Sequence, residues 1–158
     1  MVKVVGLIWG LKQSFRNYVE ATGGTIAVGH GAERMADGAI AFVLNPDGLL
    51  ELDDEGRLRG QGRFLGDVRF KSHGGMLSIH LSDPIVEVSE TGAGLTVAVD
   101  EASYRVEIAR LDLSAMSKGD AGEIIIPATL SMDGYQLLDS QYPLGTLLDP
   151  VRLICVTA

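Results

Sequence analysis

Short apolar segments separated by glycine are the feature that most constrains the fold of this chain. Its 158 residues include 20 glycines, and these lie at intervals between short runs in which apolar and polar side chains alternate. A period of two places the apolar side chains of a strand on one face, and regular turn residues between such runs are typical of all-β folds. The pattern therefore predicts a mostly β fold of two antiparallel sheets, arranged like a sandwich, with one or two short helices.

Nine segments alternate clearly enough to predict strands. They are Thr25–Val28, Ala39–Leu44, Phe64–Phe70, Leu77–Leu81, Ile85–Val88, Leu95–Val99, Tyr104–Ile108, Glu123–Pro127 and Arg152–Val156. Turns are predicted where proline presets φ or glycine accepts a positive φ. These turns are Asn45–Gly48, Asp54–Gly56, His73–Gly75 and Asp133–Gly134, and the prolines at 84, 127 and 150 fall at expected strand edges.

One segment near the start departs from the strand period. Its apolar residues recur at spacings of three and four, which is the period of an amphipathic helix; they are Leu7, Leu11, Phe15, Tyr18 and Val19. The spacing predicts a helix of about two turns over Leu11–Val19, ended by the Gly23-Gly24 pair. The sequence holds no internal repeat, low-complexity run or linker, so residues 1–158 are expected to form a single domain.

The charge balance argues against nucleic-acid binding. The net charge is −8, from 21 acidic residues against 13 lysines and arginines, whereas nucleic-acid binders present a basic face to neutralise phosphates. The densest arginines, Arg57, Arg59 and Arg63, stand beside the acidic run Asp53–Glu55. Anionic membrane surfaces are disfavoured for the same reason.

Membrane insertion is not expected, because no run approaches the ~20 apolar residues of a membrane span. The apolar run within Met1–Gly10 is too short for a secretory signal, so the sequence as written favours a cytoplasmic protein, or an exported one if a signal was trimmed. The chain has one cysteine, so an intrachain disulfide cannot form. Cys155 lies in an apolar run and is expected to be a buried, inert thiol.

Common catalytic motifs are absent from the sequence. There is no nucleophile elbow, no phosphate-binding glycine loop with a lysine, and no Cys or His pair at zinc spacing. His80 alternates with Leu77, Ile79 and Leu81 and is expected to be a solvated strand residue.

Two segments combine residues that suit a ligand. On the predicted helix Ser14 and Tyr18 are four residues apart and share one face, with Phe15 beside them. On spacing alone, the ordinary interpretation of Tyr18 is a ring in the core with its hydroxyl hydrogen-bonded. The second segment is the glycine turn that carries His73, and its ordinary interpretation is an exposed turn histidine.

These segments resemble the HtaA, or haem-transport-associated, domain family. The resemblance begins with Ile8–Tyr18 (IWGLKQSFRNY), continues through Gly66–Phe70 (GDVRF), His73–Leu77 (HGGML) and Asp83-Pro84, and resumes at Gly145–Val151 (GTLLDPV). It spans nearly the whole chain in the family's order. It implies two antiparallel sheets with short helices, and haem in a surface pocket.

The resemblance also implies roles for individual residues. Tyr18 is implied as the axial ligand of ferric haem b, His73 as the hydrogen-bond partner of that tyrosine, and Ser14 as a contact to a haem propionate. A phenol has an ordinary pKa of about 10, so a cationic iron and a donated imidazole N–H would both favour its anion. A haem pocket needs apolar walls, and the candidates are Phe15, Met35, Phe70 and Met76.

Several alternatives stay open on the sequence. Arg16 suits either a haem propionate or an ion pair with Glu20 one turn on. The leading hypothesis is a haem carrier that exchanges haem with a donor or acceptor protein. A second is a haem enzyme acting on peroxide or a small nitrogenous substrate, for which His30 is the available distal histidine. A third is a β interaction domain that has lost its ligand. Family members are typically exported, which the visible sequence does not indicate.

Overall fold

The computed structural model of the protein describes residues 1–99, 104–138 and 141–157. Within these ranges the chain forms thirteen strands, two α-helices and two 3-10 turns. The strands are β1 (Val2–Trp9), β2 (Thr25–Gly29), β3 (Glu33–Arg34), β4 (Ile40–Leu52), β5 (Leu58–Leu65), β6 (Asp67–Ser72), β7 (Leu77–Ser89), β8 (Gly92–Val99), β9 (Tyr104–Leu111), β10 (Ser117–Lys118), β11 (Ile124–Ile126), β12 (Ala128–Leu130) and β13 (Val151–Thr157). The helices are α1 (Gln13–Ala21) and α2 (Met132–Leu137), and the 3-10 turns are His73–Gly75 and Leu113–Ala115. The prediction of a mostly β fold is confirmed.

The described strands join into one antiparallel sheet rather than the two separate sheets that the alternation predicts. Its order is β10-β11-β13-β1-β4-β5-β7-β8-β9-β12, with β2 and β6 added beside β7 and β3 beside β4. The two ends of this order lie close in sequence, because only Pro127 separates β11 from β12. Since β11 pairs with β13 and β12 pairs with β9, the sheet must curl until its ends approach.

Irregularities in the strands allow this curvature. The pairing register shifts at extra residues within β1, β4, β7 and β9, and such bulges bend a strand and increase its twist. In β7 the shift falls between Ser82 and Ile85 and coincides with Asp83, whose φ is +48°. Pro84 sits at this bulge, where a missing N–H breaks no regular ladder bond. One bent sheet can therefore pack against itself.

The same irregularities explain why some predicted strands and turns differ from the observed ones. Asn45–Gly48 is not a turn but a bulge inside β4, where the register with β5 shifts. Phe64–Phe70 is divided between β5 and β6 by Gly66, at φ +135°, whereas Leu77–Leu81 and Ile85–Val88 are continuous in β7. Bulges change the alternation of side chains without ending a strand, so the alternation predicts some strand ends in the wrong place.

Several elements are missing from the sequence prediction: the short strands β3, β10 and β12, and also β1 and α2. β1 lies inside the sheet between β13 and β4, and a strand in that position need not alternate strictly because both of its faces are largely covered. Asp133-Gly134 is part of α2 rather than a turn, because the Ser131 side chain accepts a hydrogen bond from the Gly134 N–H (3.0 Å) and caps the helix.

The core is enclosed by the curled sheet and closed on one side by α1. α1 packs on β2 and β6, with the rings of Phe15 and Phe70 in edge contact at 5.3 Å. Both rings are buried. Cys155 is half-buried, and burial raises the pKa of its thiol. Among the described residues, no helix has the length and apolar character needed to cross a membrane.

Candidate functional site

The structure brings Tyr18 and His73 together at the surface. The phenol oxygen of Tyr18 lies 2.6 Å from Nε2 of His73, although 55 positions separate the residues in sequence. Their ring centroids are 5.7 Å apart and the ring planes are inclined by 51°. Tyr18 is 40 % exposed, although it lies on a helix that packs on the core. The ordinary interpretation, a tyrosine inserted into the core, is therefore wrong.

α1 is held firmly against the fold beneath Tyr18. Phe15 is 2 % exposed and contacts the rings of Phe70 and Tyr142. At the start of the helix the Gln13 N–H donates to the Asp149 carboxylate (2.9 Å). Burying a phenylalanine contributes about 1.5–3 kcal/mol, so the packing of Phe15 fixes the helix face that carries Tyr18.

An unusual backbone conformation sets the position of His73. Its φ is +54°, and Gly74 and Gly75 follow at +65° and +92°. Left-handed conformations cost an L-residue about 1–2 kcal/mol, and such strain persists where the surrounding structure over-determines it. The turn is closed by the Met76 N–H, which donates to the His73 carbonyl (3.2 Å). The strained turn directs the imidazole toward α1.

A hydroxyl pair joins the two halves of the site. Thr22 follows α1 and Ser72 precedes His73, and their side-chain oxygens are 2.6 Å apart. Thr22 also lies within hydrogen-bond distance of the Tyr18 carbonyl (2.9 Å). These two residues were missed in the sequence; their signal is position, one directly after the helix and one directly before the histidine.

Gly24 lets the end of α1 approach β6 closely. A Cβ atom there would lie 2.3 Å from the Lys71 carbonyl oxygen and 2.7 Å from that of Val19. Any other residue would therefore force the α1–β2 connection away from β6. The glycine pair predicted to end the helix has this second role of holding the two halves of the site together.

The other predicted ligand contacts are distributed around this pair. Ser14 is exposed on α1, one turn before Tyr18, and Met76 is 89 % exposed at the end of the His73 turn. Phe15 and Phe70 are buried beneath the helix, so they support the site from the core side. Met35 lies in the turn between β3 and β4. Contact of any of these residues with haem stays a prediction.

The remaining histidines lie together at the other end of β6. His80 is not a solvated residue: its side chain is 14 % exposed and its Nε2 lies 2.7 Å from the Asp67 carboxylate. His30 is exposed, and its Nδ1 lies 3.2 Å from the same carboxylate. Burial alone would raise the pKa of Asp67, but the hydrogen bonds from His80 and His30 lower it overall. Asp67 is thus a shared acceptor for two histidines.

Arg16 does not form the expected ion pair with Glu20. It is buried, and its Nη1 donates to the Gly10 carbonyl (2.8 Å) and to the Asp149 carboxylate. Glu20 pairs instead with Arg34 (3.2 Å). Residues two apart on a helix project about 200° apart, so Arg16 points away from the side of α1 that carries Tyr18.

Comparison with known proteins identifies the family. A profile of the HtaA family, described as Htaa, matches residues 5–154. The chain belongs to the HtaA family. No curated protein sequence matches it.

Crystal structures of HtaA domains share the fold. The C-terminal domain of HtaA from Corynebacterium glutamicum is 23 % identical, with a TM-score of 0.75 over 99 % of this chain and 100 % of that one. The N-terminal domain of the same protein is 24 % identical, with a TM-score of 0.76 over 99 % and 98 %. The haem-binding protein HtaB from the same organism is 18 % identical, with a TM-score of 0.69 over 99 % and 94 %. At these identities the likeness establishes the fold.

Proposed function

We propose that this HtaA-family protein binds ferric haem b at the surface around α1 and the His73 turn, with Tyr18 as the iron ligand, and serves in haem uptake, transfer or buffering. The observation that carries the proposal is the contact between the Tyr18 oxygen and His73 Nε2 at 2.6 Å. The family membership and the naming of the structural neighbour HtaB as a haem-binding protein support haem as the ligand.

The exposed surface suits a flat, largely apolar ligand. Tyr18 presents its hydroxyl at the surface, and Met76 exposes a flexible thioether side chain beside the same turn. Tyrosine is an established haem ligand, and anionic oxygen suits ferric iron. Haem would supply the iron and the apolar macrocycle, while Ser14, one turn along α1, offers a hydroxyl for a propionate.

His73 can form a hydrogen bond with Tyr18 in both protonation states of the phenol. A neutral imidazole can accept a hydrogen bond at Nε2 in one tautomer and donate from Nε2 in the other. When Tyr18 is a phenol, its O–H donates to Nε2; when it is a phenolate, an N–H at Nε2 donates back to the oxygen. The contact at 2.6 Å therefore supports the tyrosine in both states. Returning the proton to the phenol would weaken its hold on iron, which suits a carrier.

The position of His30 argues against the enzyme alternative. His30 was the histidine available for acid–base chemistry on peroxide, but it contacts Asp67 at the start of β6, whereas His73 follows the end of that strand. Six residues of extended chain span roughly 20 Å. His30 and His73 are therefore too far apart to act on one small substrate, and a carrier is the better interpretation.

Haemin titration followed by visible absorption tests the proposal. We expect saturable one-to-one binding with a high-spin ferric spectrum in the wild type. Tyr18→Phe removes only the hydroxyl, so it should weaken binding at least about 100-fold, or about 2.7 kcal/mol. Tyr104→Phe is the matched control, because Tyr104 is 51 % exposed and lies on β9.

The outcomes are distinct. Equal haemin affinity in wild type and Tyr18→Phe would refute the tyrosine ligand, and weak, non-saturating binding in all three proteins would refute haem binding. Peroxidase activity of the loaded protein above that of free haemin would refute the carrier function and restore the enzyme alternative. Transfer of haem to apomyoglobin without such activity would support the carrier.

A further inference from the structure

A cavity of about 270 Å³ lies on the side of α1 away from Tyr18. It is formed where the end of β1, the start of α1, the turn before β4 and the start of β13 meet. The side chains that matter for its chemistry are Trp9, Gln13, Arg16, Asp37, Asp149 and Arg152. None of them takes part in the Tyr18–His73 contact, so the cavity is separate from the proposed haem site.

Arg16 is buried yet keeps unused donors. It is 4 % exposed, and its Nη1 makes the bonds to Gly10 and Asp149. Its Nε and Nη2 make no hydrogen bond with any residue that the structure describes. In the same residues no fully buried side-chain nitrogen lacks a partner, so these two nitrogens must retain access to the cavity.

Two glycines make room for this guanidinium. A Cβ atom at Gly10 would lie 2.4 Å from Nη1 of Arg16, and one at Gly38 would lie 3.4 Å from Nε and 3.5 Å from Nη2. Because Gly38 has no side chain, the Nε–Nη2 edge of the guanidinium is left uncovered on the side that faces this glycine. This edge is the fork that binds carboxylates and phosphates through two parallel hydrogen bonds.

Both carboxylates in the cavity are already engaged. Asp149 accepts the Gln13 N–H on one oxygen and Arg16 on the other. Asp37 accepts the Ala39 N–H (3.0 Å) on one oxygen and Nη2 of Arg152 (2.9 Å) on the other. Among the described residues, the remaining N–H groups of Arg152 make no hydrogen bond. The cavity therefore has more donors than acceptors, and a ligand that fits it must bring acceptors.

We propose that this cavity binds a small oxyanion, a carboxylate or a phosphate, with the Nε–Nη2 edge of Arg16 and the free N–H groups of Arg152 as its donors. The buried position of Arg16 strengthens charge-assisted hydrogen bonds, because the surrounding dielectric is low. The volume of about 270 Å³ suits a small molecule. The inference does not depend on haem binding.

The chain carries its own reporter for a test. Trp9 is the single tryptophan of the sequence and lines the cavity. Its fluorescence in the whole protein is followed during titration with inorganic phosphate, with succinate and with chloride, at constant ionic strength. The variants are Arg152→Gln, which removes an accessible donor, and Arg16→Lys, which keeps the charge but loses the fork. Arg110→Gln is the control, since Arg110 lies on β9 and pairs with Glu107.

Saturable one-to-one changes with phosphate, succinate or both, absent with chloride, are expected, and the two titrations identify which oxyanion fits. Affinity should fall at least about tenfold in Arg152→Gln and Arg16→Lys and stay unchanged in Arg110→Gln. Should Arg16→Lys fail to fold, Arg152→Gln alone decides. A response that follows chloride, or one that Arg152→Gln leaves intact, would overturn the proposal.

Discussion

Replacing His73 by alanine and by glycine separates the imidazole from the backbone that holds it. Both variants lose the contact to Tyr18, but only alanine retains a Cβ in a conformation with φ +54°. The left-handed region costs an L-residue about 1–2 kcal/mol, while glycine costs about 0.5–1 kcal/mol in chain entropy. We therefore expect His73→Gly to be more stable than His73→Ala by about 0.5–1 kcal/mol, or about 1–4 °C in Tm for a chain of this size.

The rate of haem release should be the same in the two His73 variants although their stabilities differ. Because the imidazole is absent from both variants, stopped-flow transfer to an acceptor should show the same acceleration of haem release in each, larger than any slowing of capture. Urea denaturation and calorimetry measure the stability difference, and size-exclusion chromatography shows that the same oligomeric state is compared. Equal stability of the two variants would refute the strained turn. Faster release in the alanine variant alone, or unchanged release in both, would refute the role given to the imidazole.

Two further predictions concern the frame of the site. Gly24→Ala should destabilise the protein by about 1–3 kcal/mol and weaken haemin binding, because its Cβ would meet the Lys71 carbonyl oxygen at 2.3 Å. The control Gly23→Ala, at φ +76° with open space around it, should lower the urea midpoint without changing haemin affinity. Equal haemin affinities of the two variants would contradict the packing argument. Asp67→Asn tests acid stability. Burial of the Asp67 carboxyl would by itself raise its pKa, but hydrogen bonds from His80 and His30 outweigh burial, so the pKa of Asp67 is lowered from its ordinary value. The stabilisation from Asp67 is therefore complete well above the ordinary pKa of an aspartate and is lost as the pH falls through the lowered pKa. The stability gap between wild type and Asp67→Asn in urea should narrow below about pH 4, and a constant gap from pH 7 to 3 would contradict it.

Much of the β structure followed from local pattern. Segments such as Leu95–Val99 and Arg152–Val156 alternate or are strongly apolar, and each lies inside an observed strand. Turns such as Asp54–Gly56 depend on the backbone preferences of their own residues. The number of sheets could not be predicted in this way, because it depends on register shifts such as that between Val4 and Gly6 in β1, which arises from pairing with the distant strand β13.

In the candidate site, too, local spacing predicted some features and contacts between distant segments set the others. Helical spacing placed Ser14 and Tyr18 on one face of α1, and the glycines after His73 predicted its turn. The pairing of Tyr18 with His73 came from the family resemblance, not from spacing. No local pattern marked Thr22 or Ser72 as the hydroxyl pair that joins the helix to the turn, because that contact spans 50 positions.

The sequence by itself determined the strand-rich fold, the short helix with its tyrosine, the acidic charge balance and, through ordered motifs, the family. These depend on residue type and on spacing within a few positions. The tertiary structure alone decided that the sheet is continuous, that Tyr18 is exposed beside His73, and that Arg16 turns away to pair with Asp149. Each of these depends on which distant segments meet when the sheet curls, and that is set by packing of the whole chain rather than by any local preference.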